Sequence, residues 1–169
     1  RLIHGHAPAI LNSLPDDDRF DIILGHAFHD VPLPYHLVTR EFAQLLSRRL
    51  NDDGIYVLNL VDVYPDGRLA RALVKTLGTV FEYVDIWLHE LPSDTARVTY
   101  VLSASNQPTE LAGNGDHLHA VTRPLRSWTR VSERVSENGV AEGAIPVLTD
   151  DNAPVEQLIS ALFTTGMGR

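Results

Sequence analysis

Eight histidines and no cysteine among 169 residues set the chemistry open to this chain. Imidazole titrates near neutral pH, so it can take or give a proton under conditions where most other side chains cannot. Several of the histidines are closely spaced: His4 with His6, His26 with His29 beside Asp30, and His117 with His119, while His36 follows Tyr35. His6 and His26 would meet if each closed one of two neighbouring strands. A metal ion would also need third and fourth ligands and hydrogen bonds behind them, and no zinc-type spacing is present, so no metal site is assigned. The absence of cysteine removes disulfides, thiolate zinc sites and a catalytic thiol. It fits a reducing compartment, and the cytoplasm is the expected setting. A formal net charge of -8 and a pI near 5.4 leave no broad positive surface for phosphate backbones, so nucleic acid is not an expected partner.

What such side chains can do depends on the elements that carry them. With 44% hydrophobic residues the chain is long enough for one ordinary domain with a tail. No run reaches the roughly 20 apolar residues of a membrane helix, and the first residues lack a signal-peptide pattern. Arg1 to His6 reads as a short strand ending at Gly5, with a helical segment over Ala7 to Leu14 and an acidic turn at Pro15 to Asp18. Phe20 to Leu24 is a continuous apolar run, as expected of a central parallel strand buried on both faces. Thr39 occupies an N-cap position. Phe42, Leu45, Leu46 and Leu50 follow at helical spacing, and Asn51 to Gly54 is read as the stop. Ile55 to Val61 is the next strand, and Arg68 to Leu77 is a helix closed by Gly78. The strands Phe81 to Leu88 and Arg97 to Ser103 are separated by too short a loop for a helical crossover, so they form an antiparallel pair. Beyond Asn106 the chain is polar and loop-rich. A partly helical segment is expected around Leu118 to Arg130 and a last helix over Pro154 to Phe163.

This rhythm predicts an α/β sheet, mainly parallel with a terminal antiparallel strand. In such sheets ligands lie outside the carboxyl ends of the strands. Three stretches fall there: Gly5-His6-Ala7, Gly25 to Asp30, and Asn59 to Asp62.

The run Phe20-Asp-Ile-Ile-Leu-Gly-His-Ala-Phe-His-Asp30, continuing through Val31-Pro-Leu-Pro-Tyr-His-Leu-Val-Thr-Arg-Glu-Phe42, strongly resembles the spermidine-synthase-like family. Asp53-Gly-Ile-Tyr-Val-Leu-Asn59 resembles the family's next strand, and Leu148-Thr-Asp-Asp-Asn-Ala-Pro-Val-Glu156 its C-terminal signature. The resemblance implies a Rossmann-like, methyltransferase-type domain. It also implies transfer of an aminopropyl group from decarboxylated S-adenosylmethionine to a polyamine. By the same likeness His26 falls where the family has its catalytic Asp, with His29 and Asp30 beside it. His6, next to Ala7, falls where an Asp contacts the adenine of the donor. Tyr35, His36, Asn59 and Asp62 would then line the side of the polyamine. Both acids being histidine here, the chain keeps a possible base but lacks their permanent negative charge.

Two units are expected: residues 1–105 as the C-terminal part of the Rossmann-like domain, and residues 106–169 as a loop-rich extension ending in a short helix. The N-terminal strands and the glycine loop of the donor site would lie outside this sequence, as would the membrane domain to which some family members are fused. Absent sheet neighbours would leave a strand edge on which a second copy could pair. Two other functions remain open at this point. The same sheet serves methyl transfer from S-adenosylmethionine, and the two histidines equally suit ordinary polar strand ends in a non-catalytic interaction module.

Overall fold

In the computed structural model residues 3–26, 34–108, 128–132 and 145–164 are described. Five strands form one sheet: β1 (Phe20–Gly25), β2 (Leu50–Tyr64), β3 (Tyr83–Leu88), β4 (Ala96–Ser105) and the two-residue β5 (Thr129–Arg130). Among the described residues five helices accompany it: α1 (Ala7–Ser13), α2 (Arg40–Arg49), α3 (Arg68–Leu77), α4 (Val155–Leu158) and α5 (Ser160–Thr164), with a 3-10 turn at Tyr35–Leu37. The spatial order is β1-β2-β4-β3-β5. β1 and β2 are parallel, whereas β4 is antiparallel to both β2 and β3. Thus β1, β2 and β3 share one direction and β4 is inserted between the last two in reverse. The expected antiparallel pair is present, but β4 lies inside the sheet, so one of the four pairings is parallel and three are antiparallel.

Alternation along the strands separates two faces. Tyr56, Leu58 and Leu60 of β2 point into the main core, together with Ile86, Leu88, Tyr100, Leu102 and Ala104. Against them pack Ala43 and Leu46 of α2, and Leu69, Ala72 and Leu73 of α3. On the other face Ile55 and Trp87 make a second cluster with the half-buried Val57, Val101 and Trp128. Ile22 and Leu24, in register with Ile55 and Val57, continue that second face into solvent, at 44% and 69% exposure.

The helices follow local rules. Thr39 caps α2, its hydroxyl accepting from the Phe42 N–H at 3.3 Å. Gly67 stands at the N-cap of α3 with φ +37°, a left-handed conformation in which any side chain is strained. Two buried-side hydrogen bonds from the Arg49 guanidinium to the carbonyls of Pro15 and Leu14, at 2.6 and 3.0 Å, hold the loop that leads into β1.

Several local expectations change. Residues 3–6 form no strand; they run into α1, where Pro8 in the first turn and the N-cap at His6 start a helix instead. Asn51 to Gly54 is the beginning of β2 rather than a turn. Gly54 permits this, because a Cβ there would lie 2.9 Å from the Phe20 carbonyl oxygen, where the β1–β2 register shifts. Leu50 belongs to β2, not to α2. The last helix is split into α4 and α5 at Ile159. Of the segment expected to be helical up to Arg130, Thr129 and Arg130 are strand, pairing with Leu88 and Trp87; its earlier part lies outside the described residues, as do Glu133 to Gly143.

The C-terminal residues join the same core. Ile145, Leu148, Val155, Leu158 and Ile159 are buried with the α2 and α3 side chains. The Leu148 carbonyl accepts from the Arg40 N–H at 2.8 Å, and the Leu148 N–H donates to the Thr76 hydroxyl at 2.8 Å. No described helix is long and apolar enough to cross a membrane.

Candidate active site

The carboxyl end of β1 is built by a close approach. Gly25 pairs with Leu58, and a Cβ at Gly25 would stand 2.7 Å from the Tyr56 hydroxyl and 2.9 Å from Leu58 Cδ1. A side chain there would have to displace the ends of the Tyr56 and Leu58 side chains. Burial pushes the Tyr56 phenol far above its ordinary value, which keeps it a neutral packing group. One residue further, the β1–β2 register sets His26 opposite Asn59 on the face away from α2 and α3. Their side chains meet: His26 Nδ1 lies 3.1 Å from Asn59 Oδ1. His26 is exposed and Asn59 half-buried, with its backbone held in β2 opposite Val101.

A second grouping brings together residues far apart in sequence. The His6 and His36 rings stack with centroids 4.4 Å apart and 37° between planes, and Tyr35 meets His36 edge-on at 5.5 Å. Ala7 begins α1 directly behind His6. Tyr35 and Pro34 form one wall of an open cleft of about 280 Å³, whose other wall is Ala153, Pro154, Val155, Glu156 and Gln157. So His6, Tyr35 and His36 converge, and His26 and Asn59 converge, but His6 pairs with His36 rather than His26. His29 and Asp30 lie outside the described residues.

Asp62 departs from the position expected of it. It is 1% exposed and sits on the helix-facing side of β2, not at the rim. Its carboxylate accepts from the N–H groups of Val63 at 2.8 Å and Ala70 at 2.9 Å. Ala70 is the third residue of α3, whose N-cap glycine has no side chain to offer. Asp62 therefore supplies the cap from the preceding strand. Burial raises its pKa above the ordinary carboxylate value, against the opposing pull of the backbone N–H groups of Ala70, Val63 and Leu69.

Asp150 and Asp151 also find a structural place. They form the tip of a tight turn in which Thr149 and Asn152 exchange backbone hydrogen bonds at 3.1 and 3.0 Å. The Asp150 N–H donates to Glu41 Oε2 at 3.0 Å, and Arg40 pairs with the other oxygen of Glu41 at 3.0 Å. Partial burial acts to raise the Glu41 pKa, but the N–H groups of Glu41 and Asp150 and the Arg40 guanidinium outweigh it and leave the carboxyl below its usual range. This turn fastens the C-terminal segment to the first turn of α2, and so fixes the far wall of the Tyr35 cleft. The residues of that wall appeared in sequence only as part of the C-terminal motif, because nothing local to Ala153–Gln157 says that Tyr35 faces them. Among the described residues no three His, Asp or Glu side chains converge as metal ligands.

Three same-direction strands with one inserted in reverse, the described helices packed on one face, and a polar pair just past the end of β1 give a Rossmann-like α/β sheet. No family model matches the chain. It is similar to a probable polyamine aminopropyl transferase of Bifidobacterium longum, with 26% identity over 157 residues, 83% of this chain and 34% of that protein. Its fold is that of a probable spermidine synthase from Corynebacterium glutamicum, at TM-score 0.62 and 23% identity over 82% of this chain and 54% of the other. The chain spans about a third of the length of the curated relative and about half of the solved structure.

Proposed function

We propose that the complete protein transfers an aminopropyl group from decarboxylated S-adenosylmethionine to a small polyamine, with His26 as the proton acceptor. The observation that carries this reading is the contact of His26, just past the end of β1, with Asn59 of β2, on a chain similar to a probable polyamine aminopropyl transferase. In the reaction the amine nitrogen forms a bond to the carbon next to the sulfonium, the C–S bond breaks, and a neutral thioether leaves. The proton lost by the amine goes to the base. A base so placed is worth about 10²–10⁴-fold in rate. His6, Tyr35 and His36 form a separate aromatic group. Neither side-chain pairing includes a carboxylate and Asp62 is committed to α3, so of these residues Glu156, on the cleft wall opposite Tyr35, is the one that offers negative charge to a cationic substrate. A cytoplasmic setting, and a division into a Rossmann-like part over 1–105 and an extension over 106–169, belong to the same reading.

A second reading follows from the histidines at positions 6 and 26. Without the two acids the chain suits a non-catalytic binding module. Isothermal titration of the full-length protein with S-adenosylmethionine and with its decarboxylated form, each with and without spermidine or putrescine, separates the two. Preferential binding of the decarboxylated donor, with a product heavier by an aminopropyl group, is the expected result. A product heavier by a methyl group would assign the fold's other chemistry, and binding of neither donor would leave the module.

A further inference from the structure

The contact between His26 and Asn59 says more than that the two are close. Asn59 is held by the sheet: its backbone is paired with Val101 of β4, one residue beyond the last β1–β2 pair, and it is half-buried. His26 is the exposed partner, one residue beyond the last paired position of β1. The Nδ1 of its ring is the nitrogen that meets the amide oxygen, at 3.1 Å. An amide oxygen only accepts, so with Asn59 Oδ1 facing the ring Nδ1 is the donor and carries the hydrogen. A neutral imidazole has one N–H, and with that hydrogen on Nδ1 the lone pair is left on Nε2.

We propose that Asn59 is a positioning residue that locks His26 in the Nδ1–H form and so leaves Nε2 as the atom that takes the proton from the attacking amine. This rests on the reading of His26 as the base given above. The choice of an amide has a physical consequence. It orients the ring through a hydrogen bond that carries no charge of its own, whereas a carboxylate in the same place would add a second ionisable group to the pair.

The orientation is read directly by long-range 1H–15N correlation spectra of the histidine rings, recorded on the protein at a pH where imidazole is neutral, with His26→Gln identifying the His26 signals. The expected spectrum has a protonated Nδ1 and an unprotonated Nε2. Asn59→Leu, which keeps the size but not the acceptor, should abolish that preference, and Asn59→Asp should keep it. A protonated Nε2 in the unsubstituted protein, or a spectrum unchanged by Asn59→Leu, overturns the proposal. Turnover of the complete protein adds an independent readout. Asn59→Leu should lower kcat toward the roughly 10²–10⁴-fold loss expected when a base is misplaced, with substantial recovery in Asn59→Asp. The spectra need no substrate, so the two claims fail separately. The expected tautomer without any aminopropyl product leaves the positioning intact and removes the proposed reaction, while product formation with a protonated Nε2 does the reverse.

Discussion

A single buried carboxylate illustrates how one residue's surroundings set its role. Asp62 was expected to supply negative charge to a substrate rim, and in sequence nothing distinguishes it from a carboxylate that does. What decides is its parity on β2. Even-numbered positions there face α2 and α3, so Asp62 turns inward and meets the uncapped N-terminus of α3, while Asn59, an odd position, faces the open side with His26. Truncation by Asp62→Ala would leave the Val63 and Ala70 N–H groups buried without acceptors, at a cost of about 2–6 kcal/mol in urea unfolding, since each such group costs about 1–3 kcal/mol. Unchanged stability in that variant would rule out the capping role. The pH dependence has a definite sign. Folding raises the Asp62 pKa above its ordinary 3.8, so between that value and the folded value the native state holds more protons than the unfolded state. Its contribution to stability is fully present below about pH 3.8 and declines as pH rises through the folded pKa. Asp62→Asn cannot titrate. The stability difference between wild type and this variant should accordingly be largest near pH 4 and shrink toward neutrality, and a difference that instead grows with pH would contradict the raised pKa.

Among the elements, those governed by neighbours in sequence were legible and those governed by distant contacts were not. α3 is read to the residue from Leu69, Ala72, Leu73 and Leu77, and α2 from the Thr39 cap, because spacing and capping act within a few residues. The short loop between β3 and β4 revealed their antiparallel pairing for the same reason. Insertion of β4 between β2 and β3 was not legible, since it depends on ten long-range pairings from Ile55–Ser105 to Tyr64–Ala96. Nor was the start of β2, where Asp52, Asp53 and Gly54 look like a turn and form the irregularity by which the β1–β2 register passes from Leu50 to Ile55. In the candidate site, the motif drew His26 and Asn59 to attention, but the stacking of His6 on His36 joins α1 to the 3-10 turn through space. The C-terminal segment is a further case. Its attachment to α3 runs through Thr76, 1% exposed, whose hydroxyl donates to the Ala72 carbonyl at 2.6 Å and accepts from the Leu148 N–H at 2.8 Å. Thr76→Val preserves the shape and deletes the acceptor. It should cost about 1–3 kcal/mol and speed hydrogen exchange at Leu148 more than at Leu73 in the helix itself. Equal protection of both amides in wild type and variant would show that the segment is held by its apolar contacts alone.

At the level of the whole molecule the two faces of the sheet are unequal. One is sealed by α2, α3 and the C-terminal segment, whose Leu148 and Val155 are 0% and 3% exposed. The other has a buried pair, Ile55 and Trp87, rimmed by half-buried Val57, Val101 and Trp128, and beyond them β1 presents Phe20, Ile22 and Leu24 at 38%, 44% and 69% exposure. Single exposed apolar residues are common, but these three recur on alternate positions of one strand and adjoin an existing apolar cluster, which makes a continuous surface. In the register of the sheet, β2 occupies one side of β1 and none of the described strands occupies the other. Apolar surface and unpaired backbone together favour association of the 169-residue chain with itself through β1. Sedimentation should therefore reveal concentration-dependent self-association, accompanied by binding of a hydrophobic dye. Ile22→Thr combined with Leu24→Lys should reduce both, because these side chains lie on the open face and not in the core, and should leave the urea midpoint nearly unchanged. A monomeric chain that binds no dye would show that this face is already covered. A double variant that unfolds would instead mean that Ile22 and Leu24 belong to the packed interior, as the unbroken apolar run of β1 had first suggested.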